Sequence, residues 1–147
     1  MTERNFLQRL QEYIDCFMET DPQNEMQKIS KEGVAGDVTG DVTEVALKYL
    51  SLALISSVEE RAGEIIIVRK NGKGECKLKG DMFTQLLNAP DEIVGRALEI
   101  LHEITGIEQT GKTGLIACGF RNDQLELKTT FQKKPGEETV VLRLPPL

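Results

Sequence analysis

Apolar residues recur along this chain with two periods, and the change from one to the other marks its organisation. Phe6, Leu7, Leu10, Tyr13, Ile14 and Phe17 fall three and four residues apart and predict a helix over 4–18. Asp21-Pro22-Gln23-Asn24 breaks it, and 25–30 reads as no more than a short helical turn. Val42, Val45, Ala46, Tyr49, Leu50 and Ala53 line a second helix over 42–58. Leu47, Leu54 and Ile55 widen its apolar side, so this helix has to be largely buried. Asp41 is placed to cap it, with Glu44 three residues on completing a capping-box arrangement.

The period then changes. Glu64-Ile65-Ile66-Ile67-Val68-Arg69 is a β-branched run and reads as a strand. Asn71-Gly72-Lys73-Gly74 is a hairpin turn, and 75–79 returns as a second strand with Cys76 and Leu78 inward. Residues 81–87 read as a short helix, and Pro90 suits the first turn of a long one over 91–105. A meander follows: 115–121, then 125–132 with Leu125, Leu127, Thr129 and Phe131 on one side, then 139–144, stopped by Pro145-Pro146. The predicted fold is α+β: an antiparallel sheet of about five strands in the order α-α-β-β-α-β-β-β, with helices packed on one face. Residues 1–40 are an N-terminal helix and linker, and 41–147 are the α+β domain.

At 147 residues, 39% hydrophobic and 29% charged, the chain suits one globular domain with a helical extension. Trp is absent, so Leu, Ile and Val must build the core. A net charge of −6 argues against a general nucleic-acid binder. No apolar run reaches membrane-spanning length, and the first residues lack the basic and apolar regions of a signal peptide. The expected compartment is the cytoplasm, with Cys16, Cys76 and Cys118 as reduced core thiols rather than metal ligands. His102, the sole histidine, reads as packing or surface. The repeated tetrads Gly36-Asp37-Val38-Thr39 and Gly40-Asp41-Val42-Thr43 match no calcium loop, so neither metal nor cofactor is expected. The stripe on the first helix packs on the domain or on a second copy, which would give a homo-oligomer.

One string carries an apparent chemistry. Gly106-Ile107-Glu108-Gln109-Thr110-Gly111-Lys112-Thr113 matches the phosphate-loop pattern, with Gly106, Gly111, Lys112 and Thr113 at its fixed positions. A working phosphate loop runs from a strand into a helix N-terminus, whose backbone N–H groups hold the phosphates. Here a helical pattern precedes the string and the strand-like Gly114-Leu115-Ile116-Ala117-Cys118-Gly119-Phe120 follows it. The glycines are therefore expected to end a helix and turn the chain.

From Asp41 to Leu144 the chain resembles the domain that precedes the motor domain in type II secretion and type IV pilus assembly ATPases. In that family an apolar helix leads into an Ala-Ser-Asp-Ile-His-Ile type strand; here Ala62-Gly63-Glu64-Ile65-Ile66-Ile67 stands in its place. The family's Pro-Gln-Asp-Gly-Arg turn corresponds to Gly111-Lys112-Thr113-Gly114, and its closing strand to Val140-Val141-Leu142-Arg143-Leu144 after the turn Gly136-Glu137. The resemblance implies a PAS-like sheet domain whose basic residues reach phosphate or a partner. Carried over, these are Lys77, Lys79, Lys128 and Arg143. The family's histidine is Ile66 here, one of its alternating arginines is Glu75, and its other arginines are lysines, which keep the charge without the bidentate fork.

Three functions follow as expectations. The first is a non-catalytic protein-interaction or regulatory module whose partner is a protein, such as a secretion or pilus motor component. The second is nucleotide binding through 106–113. The third is a small-molecule sensor, which rests on fold analogy and which a pocket lined by Cys76, Cys118 and Phe131 would favour. No Ser/His/Asp or Cys/His arrangement supports an enzyme.

Overall fold

The computed structural model describes residues 6–107, 111–121 and 123–145. The helices are α1 (Phe6–Phe17), α2 (Pro22–Glu32), α3 (Val42–Glu59) and α4 (Asp91–Thr105), with a 3-10 turn at Gly33–Gly36. The strands are β1 (Glu64–Lys70), β2 (Lys73–Lys79), β3 (Thr84–Leu86), β4 (Thr113–Phe120), β5 (Asp123–Lys134) and β6 (Glu137–Arg143). All strand pairs are antiparallel, in the order β3-β2-β1-β6-β5-β4, so the fold is α+β as predicted.

α3 is the hub. Apart from the half-buried Lys48, its residues 44–57 are all buried, because it is enclosed by α1, α2, α4 and the sheet rather than lying on a surface. Tyr49 is wholly buried, and its hydroxyl donates to the Leu87 carbonyl at 2.6 Å, so its polar end is satisfied. Register then sorts the strands into two faces. Ile67 pairs with Cys76 and Val140, and Ile65 with Leu78 and Leu142, all buried under the helices. Each fully buried aliphatic side chain contributes about 1.5–3 kcal/mol. The β1–β2 turn has φ of 53° at Asn71 and 82° at Gly72, the left-handed pair that matches the twist of a two-residue hairpin.

Several expectations are corrected. The chain break at Asp21-Pro22 is the start of α2: the Asp21 carboxylate accepts from the N–H groups of Gln23 and Asn24, and Pro22 fills the first helical position. The short helix expected at 81–87 is a turn and the strand β3. Gly80 N–H donates to Phe83 O at 2.9 Å and Leu87 N–H to Cys76 O at 2.8 Å. The spacing of Met82, Phe83, Leu86 and Leu87 suggests a helix face, but only Leu87 is buried. The sheet therefore has six strands, not five.

Asp41 does cap α3, accepting from Thr43 N–H at 2.8 Å, but Glu44 does not close a capping box. Its carboxylate is taken by the Tyr13 hydroxyl at 2.5 Å and by Arg9 of α1. Of the α1 stripe, Phe6, Leu10, Ile14 and Phe17 are buried in the same core as α3 and Tyr13 is half-buried against it, so the stripe packs on the domain, with Leu7 left exposed. Cys76 and Cys118 are core thiols, whereas Cys16 is exposed.

Candidate functional site

Every helix lies on one face of the sheet, and the other face has no layer over it among the described residues. Alternation sends Ile66 and Val68 of β1, Thr139 and Val141 of β6, and Leu115 of β4 to this open face. Leu115 is 60% exposed and Leu86, on β3, 51%. Ile66 pairs with Lys77 on one side and Val141 on the other, and Lys77 pairs with Leu86, so a row that is apolar but for Lys77 runs in from the β3 edge as far as β6 and continues as Thr130 on β5.

The four basic residues singled out from sequence share this face. Lys79, Glu64, Arg143 and Lys128 are consecutive cross-strand partners on β2, β1, β6 and β5, and Lys77 sits one row along beside Ile66. Neighbours in such a row stand about 5 Å apart. Arg143 is not free: its Nε donates to Glu64 Oε2 at 2.9 Å. The row is therefore a positive strip with one carboxylate set into it. Such a strip complements an acidic surface and lacks the burial of an enclosed phosphate site. The pair is solvent-exposed and adds little to stability.

The phosphate-loop residues fall where the helix-to-strand reading puts them. Gly106 is the left-handed cap of α4, with φ of 71° and its N–H on His102 O. Gly111 has φ of 81° and its N–H donates to Phe131 O at 2.8 Å, while Thr113 opens β4. Thr113 Oγ1 lies 3.0 Å from Thr130 Oγ1 on the neighbouring strand. Residues 108–110 of the string lie outside the described residues. The helix N-terminus that a phosphate loop requires does not follow Thr113.

Sequence reasoning missed a polar cluster between α4 and the sheet. His102 Nδ1 donates to Ile107 O at 2.6 Å, and its Nε2 lies 2.5 Å from Glu138 Oε2. The ring stacks on Phe131 with centroids 4.2 Å apart. Arg69 reaches the other Glu138 oxygen at 3.3 Å, and Arg96 pairs with Glu99 at 3.0 Å and Thr43 Oγ1 at 2.9 Å. No hydroxyl or thiol nucleophile bonds His102 among the described residues. The only sequence signal was Glu138 on the inward side of an otherwise apolar strand alternation.

The tetrad aspartates are occupied by the chain itself. Asp37 accepts from Lys48 Nζ at 2.5 Å, from Thr39 N–H at 3.0 Å and from the Thr39 hydroxyl. Burial raises the Asp37 carboxyl, but these donors together hold it below the ordinary carboxylate range. No grouping of three metal-ligating side chains occurs among the described residues. Cys76, Cys118 and Phe131 are each 1% exposed, packed into the core. The enclosed space between helices and sheet, bounded by Leu10, Leu50, Ile65 and Leu127, is about 10 Å³, near the minimum for one water and too small for a ligand. No helix among the described residues is long and apolar enough to cross a membrane. No family model matches the chain, and no curated protein matches it in sequence.

Proposed function

We propose that this chain is a non-catalytic protein-interaction module that docks a partner on the open face of its sheet. The observation that carries the reading is the adjacency of the row Leu86–Lys77–Ile66–Val141, apolar but for Lys77, to the positive row of Lys79, Arg143 and Lys128, on a face with no helix over it among the described residues. An apolar centre flanked by charge is the usual anatomy of a protein interface. The partner surface that fits is apolar with an acidic margin. The resemblance between 41–144 and the pre-motor domain of secretion and pilus ATPases supplies a first partner to try, the motor domain of such an ATPase. On this reading the module works in the cytoplasm, where its three free thiols stay reduced.

The test is the affinity of the chain for a type II secretion or type IV pilus motor domain, measured as salt is raised. Binding should weaken with salt, and Lys128→Glu with Arg143→Glu should weaken it roughly tenfold or more. Binding untouched by the charge reversal and by Ile66→Glu would remove the open face as the docking site. No binding at all would remove this partner.

A further inference from the structure

We propose that β4 is a self-pairing edge, through which two copies of the chain join antiparallel into one continuous sheet with Leu115 on the two-fold axis. β4 is the outermost strand, bonded to β5 on one side only. In an antiparallel pair, alternate residues turn both backbone groups toward the neighbouring strand and the rest turn them away. Gly119 identifies the outward set. The Gln11 side chain donates to Gly119 O at 2.9 Å and accepts from Gly119 N–H at 2.7 Å. This amide closes one end of the edge as a strand would. By the same alternation Thr113, Leu115 and Ala117 direct their N–H and C=O groups outward, with no backbone partner there among the described residues.

The usual protections of an edge are short length, charge, proline or a cover. The opposite edge, β3, is three residues long. β4 is eight residues long, Thr-Gly-Leu-Ile-Ala-Cys-Gly-Phe, without a charge or a proline. Leu115, its third residue, is 60% exposed. The complement of a row of outward backbone groups is another strand.

The row favours a second copy as its occupant. Gln11 ends it after Ala117, leaving 113, 115 and 117, a set centred on Leu115. Antiparallel pairing then sets Leu115 against Leu115 of the second copy, and Thr113 against Ala117 at either end, with about six new hydrogen bonds. The two Leu115 side chains meet on the open face and cover each other. Such an interface is isologous and closes at two copies. Charge does not oppose it. Lys128, the charged neighbour of Leu115, comes no nearer its counterpart than three strand spacings, about 14 Å. That exceeds the Debye length of ~8 Å at physiological salt.

The test is sedimentation equilibrium of the full chain from micromolar to millimolar concentration. The expected result is a reversible dimer that Leu115→Arg turns into a monomer with unchanged circular dichroism. A second variant does not depend on how Leu115→Arg folds. In Cys16→Ser/Leu115→Cys the paired Cα atoms stand about 5.5 Å apart, within disulfide reach, and mild oxidation should link two chains. Cys16→Ser/Lys128→Cys, across three strands, should not link. A wild-type chain monomeric throughout would overturn the proposal. So would a dimer that survives Leu115→Arg, or one that links at 128 and not at 115.

Discussion

His102 Nε2 lies 2.5 Å from Glu138 Oε2, joining the last turns of α4 to β6 across 36 positions of sequence. The other ring nitrogen holds the Ile107 carbonyl, just beyond the helix end. One side chain thus fixes the end of α4, the start of the following loop and the sheet beneath. His102→Ala should destabilise the fold by about 1–3 kcal/mol, because it removes a hydrogen-bond partner of the buried Glu138 carboxylate. Urea unfolding of the variant and of His102→Gln, which can keep one of the two bonds, measures this. Equal stability of all three proteins would remove the cluster as a structural tie.

Gly74 is required by the helix that crosses it. A Cβ built there would stand 2.6 Å from Val94 Cβ, and the Gly74 N–H already donates to Asp91 Oδ1 at 2.8 Å. Neither α4 nor β2 can retreat without breaking that bond. Gly74→Ala should cost about 1–3 kcal/mol by overpacking. Adding Val94→Gly removes the clashing Cβ and its methyls, so the double variant should lose less than the sum of the two single losses. Additive losses would show that the helix–strand approach is loose.

The three thiols should separate by reactivity. Burial pushes Cys76 up to about 12, against a smaller lowering by the Tyr49 hydroxyl, and burial pushes Cys118 up to about 11. Both thiols stay protonated and shielded near neutral pH, and only thiolate reacts. Cys16 is exposed on α1. A disulfide reagent at mildly alkaline pH should therefore modify one thiol rapidly in the native protein and three after denaturation. Loss of the fast phase in Cys16→Ser assigns it. Rapid native modification of Cys118 would mean that the β4 edge opens.

The large elements were legible where a single physical cause acts alone. α3 and α4 follow from apolar spacing, and the β1–β2 hairpin from Asn71-Gly72, whose positive φ angles few other residues tolerate. α2 was not legible because Pro22 stops a helix in one position and starts one in another. What decides between them is the Asp21 side chain folding onto the next N–H groups. The basic row was legible as a set of residues but not as a row, since strand order brings Lys79, Glu64, Arg143 and Lys128 side by side. The His102–Glu138 pair and the Gln11–Gly119 clasp span long sequence separations with no local pattern.

Asp37 supplies the acid dependence. Its carboxyl is held below the ordinary range in the folded protein by Lys48 and Thr39, despite burial acting the other way. A depressed folded value means that the stabilisation is fully present above the unfolded value of about 3.9 and is lost as pH falls through the folded value. Wild type should therefore exceed Asp37→Asn in urea midpoint at neutral pH, and the gap should close at the acid end of a titration. A gap that stays constant with pH would assign the difference to packing of the loop rather than to the charge.

Lys112 is the residue on which the phosphate-loop pattern stands or falls. It lies between the turn glycine Gly111 and the first strand residue Thr113, and its carbonyl accepts from Phe131 N–H. The backbone around it is thus engaged in starting a sheet pairing, whereas a phosphate loop needs its N–H groups free and converging at a helix start. Calorimetric titration of ATP with Mg²⁺ should give no heat of binding for either wild type or Lys112→Ala. Because Lys112 is exposed, the substitution should leave stability within about 0.5 kcal/mol. Micromolar binding to the wild type, lost in the variant, would make 106–113 a nucleotide site despite its helix-to-strand geometry. The open face would then have to be reconsidered as a surface whose partner nucleotide controls.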